Sequence, residues 1–264
     1  MKLDTKQREI LRACLNRQFS SIDELARLVP YRPHAIRYCL NQLRERNVIN
    51  RFIVLNPCRL GYMMINIFFS IAEKDARKTK AILDEIAKYK AIQWLAEITG
   101  GKHRFELTIQ VRNLHEMKQF FDLLMQKNQC SFENKIFAIE WSHSYFGEKY
   151  ISSSSVKIPT VSFEDNGSIA EIDDIDRGIL RFMQEGRGDS DAEIARKLKV
   201  PLSTFTYRKD RLKEAGVIVA EVYRLNWNDA ERYIYCALVS VSRLTTQFND
   251  QFQKFCRDHR NVVL

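Results

Sequence analysis

The chain has 264 residues, of which 45% are hydrophobic and 28% charged, with a net charge of +9 and a pI near 9.2. That mix excludes a disordered polyelectrolyte and supplies apolar material for about two domains. No run approaches the ~20 apolar residues of a membrane span, and Met1-Lys2-Leu3-Asp4 opens without an apolar signal segment, so the expected compartment is the cytoplasm with no membrane partner. Six scattered cysteines without a CxxC pair read as reduced thiols, and the five histidines have no metal-ligand spacing with them, so neither a metal nor a cofactor is expected.

In chain order, Asp4 caps a helix whose apolar positions are Ile10, Leu11, Cys14 and Leu15. Ser21-Ile22-Asp23-Glu24 has the form of a capping box and opens a short second helix with Leu25, Ala26 and Leu28 inward. A third helix is predicted from Pro33 to Arg46, where proline suits the first turn. It buries Ile36, Leu40 and Leu43 and leaves His34, Arg37, Tyr38, Asn41 and Arg44 outside. Val48-Ile49 then leads into a strand over Phe52–Leu55. Three helices followed by a strand over residues 1–55 describe a winged helix-turn-helix.

The pattern then changes. Strands are predicted at Met63–Ala72, Ile92–Ile98, Phe105–Val111 and Lys135–Tyr145, with amphipathic helices at Lys74–Tyr89 and Leu114–Met125. This βαββαβ order over residues 56–150 gives a ferredoxin-like sandwich, so the fold class is α+β. Trp94, Phe137, Trp141 and Phe146 are read as sheet core or dimer interface. Residues 151–170, from Ser152-Ser153-Ser154-Ser155 to Gly167-Ser168, are polar without a strong period and are read as a linker.

Residues 171–225 then repeat the plan of residues 1–55, with the matching residues 169 apart throughout and no gap. Leu3-Asp4, Arg8 and Ile10-Leu11-Arg12 face Ile172-Asp173, Arg177 and Ile179-Leu180-Arg181. Glu24-Leu25-Ala26-Arg27 faces Glu193-Ile194-Ala195-Arg196, and Tyr38, Leu43, Glu45 and Val48-Ile49 face Tyr207, Leu212, Glu214 and Val217-Ile218. Asp173 or Asp176 starts the first helix of this second helix-turn-helix, and Gly186 and Gly188 end it. Ser190–Glu193 is a capping box, and the third helix runs over Ser203–Ala215 with Gly216 as its stop. A strand follows at Val219–Leu225. Residues 226–264 then begin the ferredoxin-like pattern again, with a strand at Tyr233–Val241, a helix at Gln247–Arg257 and the start of a strand at Asn261: a partial βαβ domain.

These motifs resemble the leucine-responsive regulatory protein/AsnC (feast-or-famine) family, in tandem duplication with an incomplete second copy. The resemblance is carried by Leu3-Asp4…Arg8-Glu9-Ile10-Leu11, Glu24-Leu25-Ala26 and Leu43-Arg44-Glu45-Arg46-Asn47-Val48-Ile49. In the second copy it is carried by Ile172-Asp173…Asp176-Arg177-Gly178-Ile179-Leu180 and Leu212-Lys213-Glu214-Ala215-Gly216-Val217-Ile218. It implies a sequence-specific DNA-binding transcriptional regulator that dimerises, or assembles further, through its ferredoxin-like sensor domains and responds to a small-molecule effector. Effector contacts in such proteins lie near the turn between the second and third sensor strands, here Thr99, Gly100 and Gly101. That turn continues Lys102-His103-Arg104, a basic sequence that does not neutralise an amino acid's ammonium group.

A helix in the major groove needs basic and amide side chains on one exposed face. Arg37 and Asn41, four residues apart, are placed to read bases, since Arg pairs with guanine and Asn with adenine. Arg32, His34, Tyr38, Arg44, Arg46 and Arg51 complete the first expected DNA surface. Thr204, Tyr207, Arg208 and Arg211 are the candidates on the second. Residues 1–55 carry about 11 basic and 5 acidic side chains and residues 171–225 about 11 of each, so the first unit holds the surplus that phosphate contacts require. Two other readings share the architecture. One is a decarboxylase of sirohaem-type tetrapyrroles, for which His143 and Arg104 are the available groups. The other is a degenerate regulator acting through an intact partner.

Overall fold

The computed structural model describes residues 3–16, 22–99, 101–128, 132–147, 149, 160–185, 190–226 and 235–263. The elements begin with α1 (Thr5–Asn16), α2 (Ile22–Ala26), α3 (Pro33–Glu45), β1 (Ile49–Leu55), a 3₁₀ turn at Cys58–Leu60, β2 (Met63–Ile71), α4 (Ala76–Ile86), β3 (Ile92–Glu97) and β4 (Phe105–Val111). They continue with α5 (Leu114–Asn128), β5 (Phe132–Glu140), β6 (Ser142–Tyr145), β7 (Val161–Glu164), α6 (Asp174–Glu185), α7 (Asp191–Lys197), α8 (Leu202–Glu214), β8 (Ile218–Leu225) and α9 (Thr246–Asp258). Two compact units result. One gathers residues 1–55, 144–163 and 172–264; the other holds residues 56–143 and 164–171.

In the first unit, the two helical triplets are started and stopped by the same devices. At α1, Asp4 Oδ1 accepts from the Gln7 N–H at 2.7 Å and Gln7 Oε1 accepts from the Asp4 N–H at 3.2 Å. At α6, Asp173 and Asp176 exchange the same pair of bonds, at 3.0 and 3.1 Å. Each reciprocal cap satisfies two N–H groups that a helix start leaves open. Ser190 and Glu193 form the expected capping box at α7; Ser21, the expected cap of α2, lies outside the described residues, as do Gly186 and Gly188. After α3 and α8 the chain turns through left-handed residues at matching positions, Asn47 (φ 56°) and Gly216 (φ 69°). The apolar stripes of α1, α2 and α3 close a core of Ile10, Leu11, Leu15, Leu25, Ile36, Leu40 and Leu43, with Cys14 and Cys39 buried in it as free thiols.

A two-stranded antiparallel ladder joins the triplets. β1 pairs with β8 from Ile49 opposite Leu225 to Leu55 opposite Ile218, with an irregularity at Val54/Leu55. Tyr223 and Leu225 of β8 pack against the α1–α3 core, and on the same ladder Val54, Val219 and Val222 pack with Tyr145, Val161 and Ala220. A charge cluster locks the ladder sideways. Glu221 accepts from Arg51 across the strands and from Lys209 Nζ of α8 at 2.8 Å, with Lys213 Nζ at 3.4 Å. Lys209, only 7% exposed, also binds Asp191 Oδ2 at 2.9 Å. Burial alone would raise the Glu221 carboxyl, but Arg51 and Lys209 outweigh it and hold it down at about 2. Arg51, expected on DNA phosphate, is thus committed inside the protein.

The other unit is a four-stranded antiparallel sheet in the order β3-β4-β2-β5. Alternation along its strands sends Ile65, Ile67, Phe69, Ile71, Phe105, Leu107, Ile109 and Val111 to one face. There they pack with Ile86 of α4 and Phe120 and Leu124 of α5. This is the expected ferredoxin-like sandwich. Asp75 caps α4 by accepting from the N–H groups of Arg77 and Lys78.

Two expectations are corrected. The segment read as a linker is partly structured: Val161–Glu164 is β7, which pairs with β6, while Ala170 donates to the Arg59 carbonyl at 2.8 Å and Arg59 Nη1 to the Ser168 carbonyl at 3.1 Å. Residues 151–159 lie outside the described residues. Of the second βαβ pattern only the helix forms among the described residues, as α9 capped by Thr245. Residues 235–241 and 261–263 are not strands, and Tyr233 and Ile234 lie outside the described residues. The first sheet shows the physical reason: its central strand β2 is hydrogen-bonded on both sides, by β4 and β5, and among the described residues no strand flanks 235–241. Among the described residues no helix is long and apolar enough to cross a membrane.

Glu221→Gln leaves Lys209 and Arg51 without their shared counter-charge. It is expected to destabilise the chain by about 3 kcal/mol in denaturant titration at pH 7. The sign with pH follows from the depressed carboxyl. The stabilisation from Glu221, roughly 3 kcal/mol from the pKa difference, is complete above the ordinary glutamate range and is lost as pH falls from about 4.5 towards about 2. Denaturant midpoints measured between pH 6 and pH 2 should fall more steeply for the unaltered chain than for Glu221→Gln.

Candidate nucleic-acid interface

In each triplet the third helix follows a short second helix and a tight turn, the arrangement that presents a helix to a DNA groove. α3 buries Ile36, Cys39, Leu40 and Leu43, which turns Arg32, His34, Arg37, Tyr38 and Asn41 outward; all five are exposed, Tyr38 at 64%. Among the described residues no ion pair involves Arg32, His34 or Arg37. Gln42 Nε2 donates to the Tyr38 hydroxyl at 2.9 Å, and Arg44 donates to Asn41 Oδ1, which fixes the amide on the helix surface. Arg46 is exposed at the helix end. The face combines guanidinium, imidazole, phenol and amide groups, all able to donate to base edges or phosphate oxygens.

α8 spans the positions that correspond to α3 at the 169-residue offset, yet its chemistry differs. Tyr207 is 69% exposed and Thr204 is half-buried. Arg208 Nη1 binds Asp173 Oδ2 at 2.6 Å and Asp176 Oδ1 at 3.2 Å, and Arg211 pairs with the other oxygen of Asp176, a residue with 0% exposure. The Arg208 hydrogen bond holds the Asp173 carboxyl down at about 2 and raises the guanidinium. Arg208 and Arg211, expected to face DNA, are therefore drawn onto the carboxylates that cap α6. The buried charges Asp176 and Lys209 were missed by sequence reasoning. Their signal lay in the repeat, where they occupy the places of Gln7 and Leu40.

In the sheet unit the face opposite the helices carries a polar chain. Thr108 Oγ1 donates to Asn66 Oδ1 at 2.7 Å, Asn66 Nδ2 to Glu140 Oε2 at 3.3 Å, and His143 Nδ1 lies 3.0 Å from Glu140 Oε1. Burial pushes Glu140 up, but His143 and Asn66 outweigh it and leave the carboxyl below its ordinary value. Trp94, on the same face, is exposed at 53%. Arg104 pairs with Glu97 at 3.2 Å. His143 and Arg104, the groups available to a tetrapyrrole enzyme, are thus both engaged with carboxylates. Thr99 and Gly101 are exposed on the β3–β4 turn, Gly101 with φ 98°, and Gly100 lies outside the described residues. No group of three or more His, Cys, Asp or Glu side chains suited to a metal occurs among the described residues.

Comparison with known proteins adds three findings. Residues 172–219 match the family model for winged helix-turn-helix DNA-binding domains. An uncharacterized HTH-type transcriptional regulator of Pyrococcus horikoshii is 28% identical over 121 residues, which is 46% of this chain and 75% of that protein; a Pyrococcus abyssi regulator of the same description matches to the same extent. Among solved structures, the siroheme decarboxylase NirDL in complex with an iron-uroporphyrin III analogue superimposes with a TM-score of 0.56 at 13% identity, covering 82% of this chain, which spans 64% of that enzyme's length. An AsnC family transcriptional regulator from Agrobacterium tumefaciens superimposes with a TM-score of 0.44 at 16% identity, covering 52% of this chain and 90% of its own. The chain contains a winged helix-turn-helix DNA-binding domain, at residues 172–219, and a ferredoxin-like α+β domain.

Proposed function

We propose that the chain is a sequence-specific transcriptional regulator that binds double-stranded DNA with the outward face of α3. The observation that carries this reading is the exposed set Arg32, His34, Arg37, Tyr38 and Asn41 on the third helix of a helix-turn-helix, with the first three free of ion pairs among the described residues. Arg37 and Asn41 read base edges; Arg32, His34 and Arg46 lie nearer the backbone and set the register. The relatives described as HTH-type transcriptional regulators support the reading. Two chains associate through the sheet face that bears Trp94 and Ile136. A small-molecule effector acts at the β3–β4 turn around Thr99 and Gly101.

A second reading, a sirohaem-type tetrapyrrole decarboxylase, draws on the fold likeness to NirDL across most of the chain. It needs cationic and imidazole groups turned towards a substrate bearing several carboxylates. The pairing of His143 with Glu140 and of Arg104 with Glu97 weighs against it.

Fluorescence anisotropy with genomic fragments and random duplex over a salt series separates the readings. The regulator is expected to select particular fragments and to weaken steeply as salt rises. Arg37→Ala should reduce affinity for the selected fragment about tenfold while leaving random-duplex binding nearly intact. Arg32→Ala should weaken both and lower the salt slope by about one. Failure of the unaltered chain to bind duplex at low salt, together with a Soret band on adding an iron porphyrin carrying carboxylate side chains, would overturn the regulator and favour the enzyme.

A further inference from the structure

The two recognition-helix positions can be compared residue by residue, because α3 and α8 begin and end at equivalent places in the repeat. Where α3 and its approach expose Arg32, His34, Arg37, Asn41 and Arg46, the second unit has Pro201, Ser203, Thr206, Asp210 and Ala215. At these positions the guanidinium and imidazole groups are replaced by neutral residues, and the purine-reading amide by a carboxylate. Lys213 stands at the place of Arg44; the other three cations of α8 stand at positions that α3 fills with Cys39, Leu40 and Gln42. Arg208 and Arg211 hold Asp173 and Asp176, and Lys209 holds Asp191 and Glu221. Thr206 spends its hydroxyl on the Leu202 carbonyl at 3.0 Å, and Asp210 and Glu214 are exposed on the outer surface.

From this we infer that DNA reading is one-sided: α3 alone recognises bases, and the second helix-turn-helix is a structural partner whose cations serve the fold. This rests on the DNA-binding reading above and narrows it. Asp210 sets negative charge at the place where α3 has Asn41, while the ladder with β1 and the contacts of Tyr223 and Leu225 give the second unit a different task, bracing the core behind α3. One chain therefore reads one half-site, and a second half-site a helical turn away is read by α3 of another chain.

The test uses the full chain and its selected duplex, with circular dichroism and thermal melting to check that each variant stays folded. Asn41→Ala on α3 should weaken binding about tenfold. Thr204→Ala and Tyr207→Ala together on α8 should leave affinity within about twofold, the range of neutral surface changes. Hydroxyl-radical footprinting at a protein concentration that gives one chain per duplex should protect a single half-site. If the α8 pair weakens specific binding as much as Asn41→Ala, or one chain protects two half-sites, the one-sided inference is overturned while DNA binding stands. If the unaltered chain binds no duplex at all, both the inference and the regulator reading fall.

Discussion

The rest of the helical unit depends on the antiparallel ladder between β1 and β8. Each strand is the wing of its own helical triplet, and each finds its hydrogen-bond partner in the other triplet. A lone wing would leave a row of backbone donors and acceptors open to any passing strand. Pairing the two wings removes the inner edge of both and brings Tyr223 and Leu225 onto the α1–α3 core. Glu221, between Arg51 of the facing strand and Lys209 of α8, fixes the lateral position of the ladder with charge in a place where apolar contact alone would allow slippage. A buried ion cluster is weak as a source of net stability although losing one partner is costly, and here it ties β1, β8 and α8 together.

Two charge clusters set the triplets apart. Arg208 and Arg211 are engaged by Asp173 and Asp176, and Lys209 by Asp191 and Glu221. The second triplet, with its equal numbers of acidic and basic residues, turns those charges upon each other. The first triplet solves its packing with Gln7, Cys39 and Leu40 and, Arg51 apart, leaves the guanidinium groups of Arg32, Arg37 and Arg46 exposed. Two units of one architecture thus present opposite surfaces, one basic and open, the other internally satisfied.

Much of this was legible in the sequence. The caps at Asp4 and Ser190, the ends of α3 and α8, and the βαββαβ order with its alternating strands follow from local chemistry and periodicity, and the structure has them within a few residues. What was not legible is non-local. Nothing near Arg51 indicates that its partner stands 170 residues away, so an exposed strand arginine was read as a phosphate contact. Arg208 and Arg211 looked like recognition-helix cations because helical spacing places them close to the outer face, and only the fold brings Asp176 beneath them. The strand read at Tyr233–Val241 shows a further limit. Alternating or continuous apolar residues state that a segment suits a sheet, but a strand exists only with neighbours to accept its hydrogen bonds.

The paired wings also have a consequence for synthesis. The N-terminal triplet emerges first from the ribosome, yet the strand that covers its core, and the glutamate that receives Arg51, follow some 170 residues later. Until then the first triplet is a unit of about fifty residues with an unpaired wing, close to the size at which a lone core is marginal. The intervening sheet unit is built largely from contacts within its own span and has the means to fold while the first triplet waits. Completion of the α1–α3 triplet is thereby tied to translation of β8, and a chain interrupted before residue 218 would carry α3 on a support that lacks its brace.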